Sequence, residues 1–184
     1  MKFLVVGCGS IGERHIRNLR GFQAVEIVAC DPRQDRLSKV REAYSVEETY
    51  TNLKQALSKN VNAVLVCTPT ALHVPVASAA VNNCCHVFVE KPLSYDLDGV
   101  DELIERANEK NLVVMVGFNL RFHPNLQRIK KLLDEERIGK IICARVQAGQ
   151  YLPDWHPWED YRKSYSAQRA LGGGVILDAI HELD

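Results

Sequence analysis

The first twelve residues constrain the fold of this chain more than any other stretch. The apolar run from Phe3 to Val6 leads directly into the pattern Gly-x-Gly-x-x-Gly. In such a turn the first glycine bends the chain, the second lets the backbone approach a pyrophosphate, and the third lets helix and strand pack closely. Residues 13–20 are typical of a helix, whose N-terminus offers free N–H groups to phosphates. We therefore predict a dinucleotide-binding turn whose contact residues are Gly7, Gly9, Ser10, Ile11 and Gly12.

A second predicted strand, residues 25–30, ends at an acidic residue that bears on the choice of cofactor. Asp31 follows the first glycine at about the distance expected for the carboxylate that bonds the ribose hydroxyls. A carboxylate there repels a 2′-phosphate and favours NAD. Arg33 and Arg36 follow closely, and an arginine can accommodate that phosphate, so NADP stays possible.

Two further apolar runs end in residues that carry chemistry. Residues 61–67 lead to Thr68-Pro69-Thr70, with His73 just beyond, and residues 86–89 lead to Glu90-Lys91-Pro92. Ligands of open α/β sheets bind at the carboxyl ends of the strands. Pro92 disfavours a helical backbone at Lys91, which keeps the lysine at that edge. Taken alone, each tripeptide also fits an ordinary turn.

The spacing of apolar segments predicts an α/β fold with a doubly wound parallel sheet. Strands alternate with helices of about ten residues through residue 116. Beyond it, we predict an amphipathic helix over 125–136 that Gly139 ends, and a strand over 141–147.

The last forty residues are rich in aromatic and polar side chains. Both tryptophans lie here, and aromatic rings beside arginine, lysine and histidine suit a sugar-like ligand, although an ordered surface loop is an equally good interpretation. Three glycines, 172–174, precede a predicted helix and would let backbone come close to a ligand. Asp178 and His181 would share a face of that helix, where a carboxylate can orient an imidazole.

Composition excludes several classes of partner. Acidic and basic residues balance at 23 each without a basic block, which argues against nucleic acid. No apolar run approaches the roughly 20 residues that span a bilayer, and the apolar start is too short for a signal peptide. The six cysteines lack the paired spacing of a zinc site, so we predict no metal and reduced thiols in the cytoplasm. We also expect a homo-oligomer.

Taken together, these motifs resemble the glucose–fructose oxidoreductase and inositol dehydrogenase family (Gfo/Idh/MocA) along the whole chain. The resemblance implies a nicotinamide cofactor, an N-terminal Rossmann domain, and a sugar, cyclitol or sugar derivative as substrate. It implies catalytic roles for Lys91, Asp178 and His181. The expected cofactor contacts outside the glycine turn are Asp31, Arg33, Thr68, Pro69, His73, Glu90 and Asn119, and the expected substrate contacts are Arg121, Trp155, His156 and Tyr165.

Two features differ from the family pattern. The histidine follows the aspartate by three residues, whereas four is common in the family. Family members are also much longer. We therefore expect residues 1–120 to form the Rossmann domain and residues 121–184 to be the N-terminal part of an incomplete α/β domain. The chain would then be a piece of a longer protein, or a short version whose exposed core needs a partner.

The predicted reaction is oxidation of a secondary alcohol. His181 would take the hydroxyl proton while hydride leaves for the nicotinamide, Lys91 would stabilise the developing oxyanion, and Asp178 would orient either group. Two alternatives stay open: an NAD-dependent glycosidase-like enzyme on the same scaffold, which net NADH formation on a free sugar would distinguish, and a non-catalytic dinucleotide binder.

Overall fold

One parallel sheet forms the centre of the molecule. The computed structural model describes residues 1–149, 151–155, 157, 160–182 and 184. Within these residues the strands are β1 (Lys2–Val6), β2 (Glu26–Cys30), β3 (Glu48–Tyr50), β4 (Ala63–Val66), β5 (His86–Val89) and β6 (Val114–Val116). Their order is β3-β2-β1-β4-β5-β6, and every neighbouring pair is parallel. This is the doubly wound order, in which the chain reverses its direction of winding between β1 and β4.

The helices alternate with these strands as predicted, and they continue after the last one. They are α1 (Ser10–Leu19), α2 (Gln34–Tyr44), α3 (Leu53–Leu57), α4 (His73–Asn82), α5 (Val100–Glu109), α6 (Pro124–Asp134), α7 (Leu152–Trp155) and α8 (Val175–Asp178). Asn52 caps the N-terminus of α3, because its side chain accepts a hydrogen bond from the Gln55 N–H. Among the helices that the structure describes, none has the length and apolar composition needed to cross a bilayer.

The two faces of the sheet are covered by different helices. On one face, Val64, Val66, Val87 and Val89 pack with residues of α3, α4 and α5. On the other face, Val5, Ala29 and Leu65 pack with residues of α1 and α2, and the Phe88 ring joins this side. Both faces are therefore buried, which explains why the strands read as continuous apolar runs rather than as alternating ones. The interior of the sheet is therefore apolar, and the edge at which ligands bind lies at the carboxyl ends of the strands.

The predicted strand over 141–147 is wrong, because residues 141–149 have no regular secondary structure. Ile142 is 96% exposed there. A strand requires a hydrogen-bonded neighbour, and the described residues supply none to this segment. The amphipathic helix is confirmed as α6, although it ends at Asp134, before Gly139. Its apolar face is still uncovered, since Ile129 is half exposed.

We predict that the rate at which each cysteine is modified depends on how deeply the fold buries its thiol. Cys84 and Cys143 are exposed, whereas Cys8, Cys30 and Cys85 are buried. Burial and the Asp31 charge raise the pKa of Cys8 to about 12, and burial raises that of Cys30 to about 11, so these thiols lack both access and thiolate. Peptide mapping after a brief iodoacetamide pulse should find label on Cys84 and Cys143 first. Denaturant should make all six thiols react, and early labelling of Cys8 would contradict the fold.

Candidate cofactor and active site

The glycine turn after β1 is packed so tightly that two of its positions exclude any side chain. Gly7 has φ +91°, and a Cβ there would lie 2.5 Å from the Cys67 carbonyl oxygen. A Cβ on Gly12 would lie 1.8 Å from the Gly7 carbonyl oxygen. At Gly9, by contrast, the nearest atom to a Cβ would be the Arg36 guanidinium, 3.8 Å away. The turn therefore keeps open space at its second glycine, beside the N-terminus of α1, where a phosphate group would bind.

Asp31 closes one side of this space. Its side chain is 1% exposed, and its two oxygens accept hydrogen bonds of 2.8 Å from the Cys8 and Arg33 backbone N–H groups. The Arg36 guanidinium lies 3.4 Å from the same carboxylate. The Arg33 side chain points elsewhere and pairs with Asp35. A buried carboxylate fixed by backbone donors is the arrangement expected for the ribose-binding acid. Arg36, in the first turn of α2, brings a cation beside this carboxylate.

The loop after β4 is held by a buried histidine. His73 is 2% exposed. Its Nδ1 lies 2.7 Å from the Pro92 carbonyl and its Nε2 lies 2.9 Å from the Thr68 carbonyl. Burial lowers the pKa of His73, although both carbonyl contacts oppose this change. His73 therefore joins the loops that follow β4 and β5, and its ring nitrogens are used within the protein. Pro69 lies between Thr68 and the short 3-10 turn Thr70–Leu72.

Glu90 has a partner that the sequence did not identify. The His15 Nε2 lies 2.6 Å from the Glu90 Oε1, and the His15 ring packs edge-on against Phe88 with 5.3 Å between centroids. Burial raises the pKa of Glu90, but hydrogen bonds and charge interactions with His15 and Lys91 outweigh it and lower the pKa below its ordinary value. The available signal was the position of His15, one turn into the helix that opens at the glycine turn.

Lys91 reaches from the end of β5 to the far segment of the chain. Its Nζ donates a hydrogen bond of 2.5 Å to the backbone carbonyl oxygen of Asp178. The Asp178 carboxylate in turn accepts a hydrogen bond from the Tyr165 hydroxyl. Burial, and then this bond, raise the pKa of Tyr165 above its ordinary range. Two predicted catalytic residues and one predicted substrate contact are therefore brought together, with the lysine bound to backbone rather than to carboxylate.

The remaining predicted residues at this edge lie after β6. Asn119 begins a 3-10 turn that ends at Phe122 and is exposed. Arg121 binds the Asp184 carboxylate through two of its nitrogens, at 2.5 to 2.9 Å. The His181 ring packs edge-on against Phe118, 6.2 Å between centroids. His181 thus lies near the end of β6, beside the segment that carries Asn119 and Arg121.

One local prediction about the last segment is wrong. Asp178 and His181 do not share one helix, because α8 ends at Asp178 and a separate 3-10 turn covers Ile180–Glu182. The glycine triplet is packed closely on its protein side. A Cβ on Gly172 would lie 2.7 Å from the Thr70 Cβ, and one on Gly173 would lie 2.1 Å from the Tyr165 carbonyl oxygen. The same two glycines line a cavity together with Tyr95 and Leu177, so the approach of a ligand to their backbone stays a prediction.

The aromatic segment is described in part. Trp155 is the last residue of α7 and is partly buried. The predicted substrate contact His156 lies outside the described residues. In this segment Tyr165 is 39% exposed, and its hydroxyl donates a hydrogen bond to the Asp178 carboxylate.

The arrangement suits a nicotinamide dinucleotide. The glycine turn leaves an uncovered approach to the α1 N-terminus, and Asp31 lies at the end of the neighbouring strand. At the end of β4 the Thr68 hydroxyl oxygen is buried and lacks a hydrogen-bond partner among the described residues. An unsatisfied polar atom at a ligand-binding edge is a group that a bound cofactor can satisfy. The fold and site thus define a Rossmann-type dinucleotide-binding domain with a lysine at its carboxyl edge.

Comparison with known proteins agrees with this class. Residues 1–118 match the family described as GFO_IDH_MocA, oxidoreductase family, NAD-binding Rossmann fold. The chain belongs to this family, which confirms the predicted family, the fold and NAD as the cofactor.

Individual relatives within this family are similar to the chain in sequence and in fold. The chain is 34% identical over 187 residues to myo-inositol 2-dehydrogenase of Thermotoga maritima, covering 100% of this chain and 53% of the relative. The crystal structure of myo-inositol 2-dehydrogenase from Lactobacillus plantarum has a TM-score of 0.73 at 34% identity, over 77% of this chain and 43% of that one. Scyllo-inositol dehydrogenase from Lactobacillus casei, solved with NAD(H) and scyllo-inositol, has a TM-score of 0.72 at 26% identity, over 77% and 43%. The chain spans about half the length of the relatives it matches.

The glycine turn allows a prediction that separates folding from cofactor binding. Gly12→Ala should destabilise the protein by about 1–3 kcal/mol, because its Cβ meets the Gly7 carbonyl. Gly9→Ala should keep its melting temperature but weaken NAD binding, because its Cβ enters space that only a ligand needs. Calorimetry and NADH fluorescence titration measure the two effects. Gly149→Ala, at an open position, is the control. Equal melting temperatures for Gly9→Ala and Gly12→Ala would contradict the packing.

A second prediction concerns acid stability. A carboxyl whose pKa is lower in the folded protein contributes stability above its unfolded pKa, which is near 4.5 for Glu90, and loses it as the pH falls through the folded value. The free energy of unfolding should therefore fall less steeply below pH 4.5 in Glu90→Gln than in the wild type. Urea titrations between pH 3 and 7 test this, with exposed Glu105→Gln on α5 as the control. Parallel curves for wild type and Glu90→Gln would refute it.

Proposed function

We propose that this chain provides the cofactor-binding part and the catalytic lysine of an NAD-dependent dehydrogenase. The substrate class is a secondary alcohol of a cyclitol, sugar or sugar derivative. The observation that carries the proposal is the position of Lys91, which follows β5 at the carboxyl edge of the sheet and donates a hydrogen bond to the Asp178 backbone carbonyl. The inositol dehydrogenases named above support the substrate class.

Different residues at this edge bind the cofactor and take part in catalysis. The α1 N-terminus and Asp31 hold the dinucleotide, with Thr68 and Pro69 beside it. A nicotinamide dinucleotide held by these residues would supply the acceptor for the hydride that leaves the substrate carbon. The Lys91 ammonium stabilises the oxyanion that develops on the alcohol oxygen, and an imidazole, His181, accepts the hydroxyl proton. Tyr165 fixes the Asp178 carboxylate by a hydrogen bond, which keeps this segment at the Lys91 ammonium.

We also propose the arrangement of the complete protein. Residues 1–120 form the Rossmann domain, and residues 121–184 begin a second domain that supplies Asp178, His181 and the substrate contacts. The exposed apolar face of α6 supports this division, because such a face is buried in a folded domain. A homo-oligomer in the cytoplasm is part of the proposal. Six free cysteines fit a reducing compartment. Met115, on the edge strand β6, is 41% exposed, and a neighbouring subunit would bury it.

The decisive experiment is Lys91→Met in the complete protein. We expect NADH binding close to that of the wild type, because Lys91 lies outside the pyrophosphate turn, and a loss of turnover of about 10²–10⁴-fold, the range typical of positioned acid–base groups. NADH formation from myo-inositol, scyllo-inositol and free glucose provides the assay. Lys110→Met, at the end of α5, is the matched control. Unchanged turnover in Lys91→Met would refute the assignment.

A further inference from the structure

A hydrogen-bonded pair connects the cofactor-binding helix to the strand that delivers Lys91. The His15 Nε2 and the Glu90 Oε1 are 2.6 Å apart, and the two side chains are only 20% and 19% exposed. His15 belongs to α1, whose N-terminus opens at the glycine turn, and Glu90 directly precedes Lys91. A charge-assisted hydrogen bond of this length between partly buried groups is strong enough to orient both of them.

The imidazole is held in place by packing as well as by Glu90. Its ring meets Phe88 edge-on, with 5.3 Å between centroids and 66° between planes. Phe88 is itself fixed from the other side, since a Cβ on Gly117 would lie 2.8 Å from the Phe88 Cζ. Gly117 follows β6, so the ends of β5 and β6 and the first turns of α1 meet around these two rings. The His15 nitrogen therefore has little freedom to leave Glu90.

The other oxygen of Glu90 completes the connection. The Glu90 Oε2 accepts a hydrogen bond of 3.3 Å from the Lys91 backbone N–H. One carboxylate thus joins the α1 imidazole to the backbone of the lysine. If the carboxylate turned, the support of the Lys91 N–H would be lost, and the ammonium at the end of its side chain would move relative to the glycine turn.

We propose that His15 is a positioning residue. By holding the Glu90 carboxylate, it fixes the backbone of Lys91 relative to α1, so that the lysine and the dinucleotide are aligned by the same helix. The catalytic consequence rests on the function proposed above. The link itself is a property of the fold and can be measured without turnover.

Two substitutions distinguish the contribution of the His15 ring packing from that of its hydrogen bond to Glu90. His15→Phe keeps an aromatic ring against Phe88 but removes the contact with Glu90. His15→Gln loses the ring but carries an amide nitrogen that can reach the position of Nε2 and donate to the same oxygen. Exposed Asn18→Ala, one turn further along α1, is the control for a change in this helix.

The first readout needs neither cofactor nor substrate. Carbon-13 NMR of the carboxyl groups should show a higher pKa for Glu90 in His15→Phe than in the wild type, and a smaller rise in His15→Gln. The amide resonance of Lys91 should shift in His15→Phe and stay unchanged in Asn18→Ala. An unchanged Glu90 titration, or an unmoved Lys91 amide, in His15→Phe would overturn the proposal.

The second readout is kinetic and uses the complete protein. We expect kcat of His15→Phe to fall about 10- to 100-fold, as expected for a misplaced catalytic group, with an NADH Kd near that of the wild type. His15→Gln should recover most of kcat, and adding Glu90→Gln to His15→Phe should cost little more. Additive losses, or a change confined to Kd, would contradict the positioning role. If the wild type shows no turnover, the proposed function fails. The NMR measurements alone then test whether His15 holds Glu90 and the Lys91 backbone in place.

Discussion

The close approach of the glycine turn to its surroundings is the constraint on which the rest of the site depends. Gly12 packs against the Gly7 carbonyl, and Gly7 packs against the Cys67 carbonyl at the end of β4. The first contact sets how near α1 lies to β1, and the second brings together the two strand ends where the winding reverses. Because ligands bind at such a reversal, the same contacts that close the fold also create its crevice. A methyl group at either position would separate the layers.

The polar groups at this edge are stabilised by bonds within the fold. Each Asp31 oxygen accepts a backbone N–H, and each Glu90 oxygen has a partner, one on His15 and the other on the Lys91 N–H. A buried carboxylate without such bonds would be expensive, because burial disfavours its charged form. These pairings explain how two acids can sit at the end of an otherwise apolar sheet. They also hold both charges at fixed positions, which a binding site requires.

Sequence predicted the features of this chain that depend on local chemistry. The glycine turn and the acid after β2 each follow from residue types a few positions apart, and the structure places both at the carboxyl edge of the sheet. The strand over 141–147 failed because strand propensity does not provide a partner. His15 was missed for a related reason. Its contact with Glu90 spans 75 residues, and it exists only because Phe88 and α1 lie on the same face of the sheet.

The atom of Asp178 that Lys91 contacts bears on the ability of the lysine to stabilise an oxyanion. The ammonium donates to the Asp178 backbone carbonyl rather than to the Asp178 carboxylate, which accepts a hydrogen bond from Tyr165. An ammonium has three donors, and one carbonyl uses one of them. An ammonium with unused donor capacity at the edge of the sheet has the property required to stabilise an oxyanion. A lysine bound tightly to a carboxylate would have lost much of that property, which is why the partner of the aspartate matters as much as the partner of the lysine.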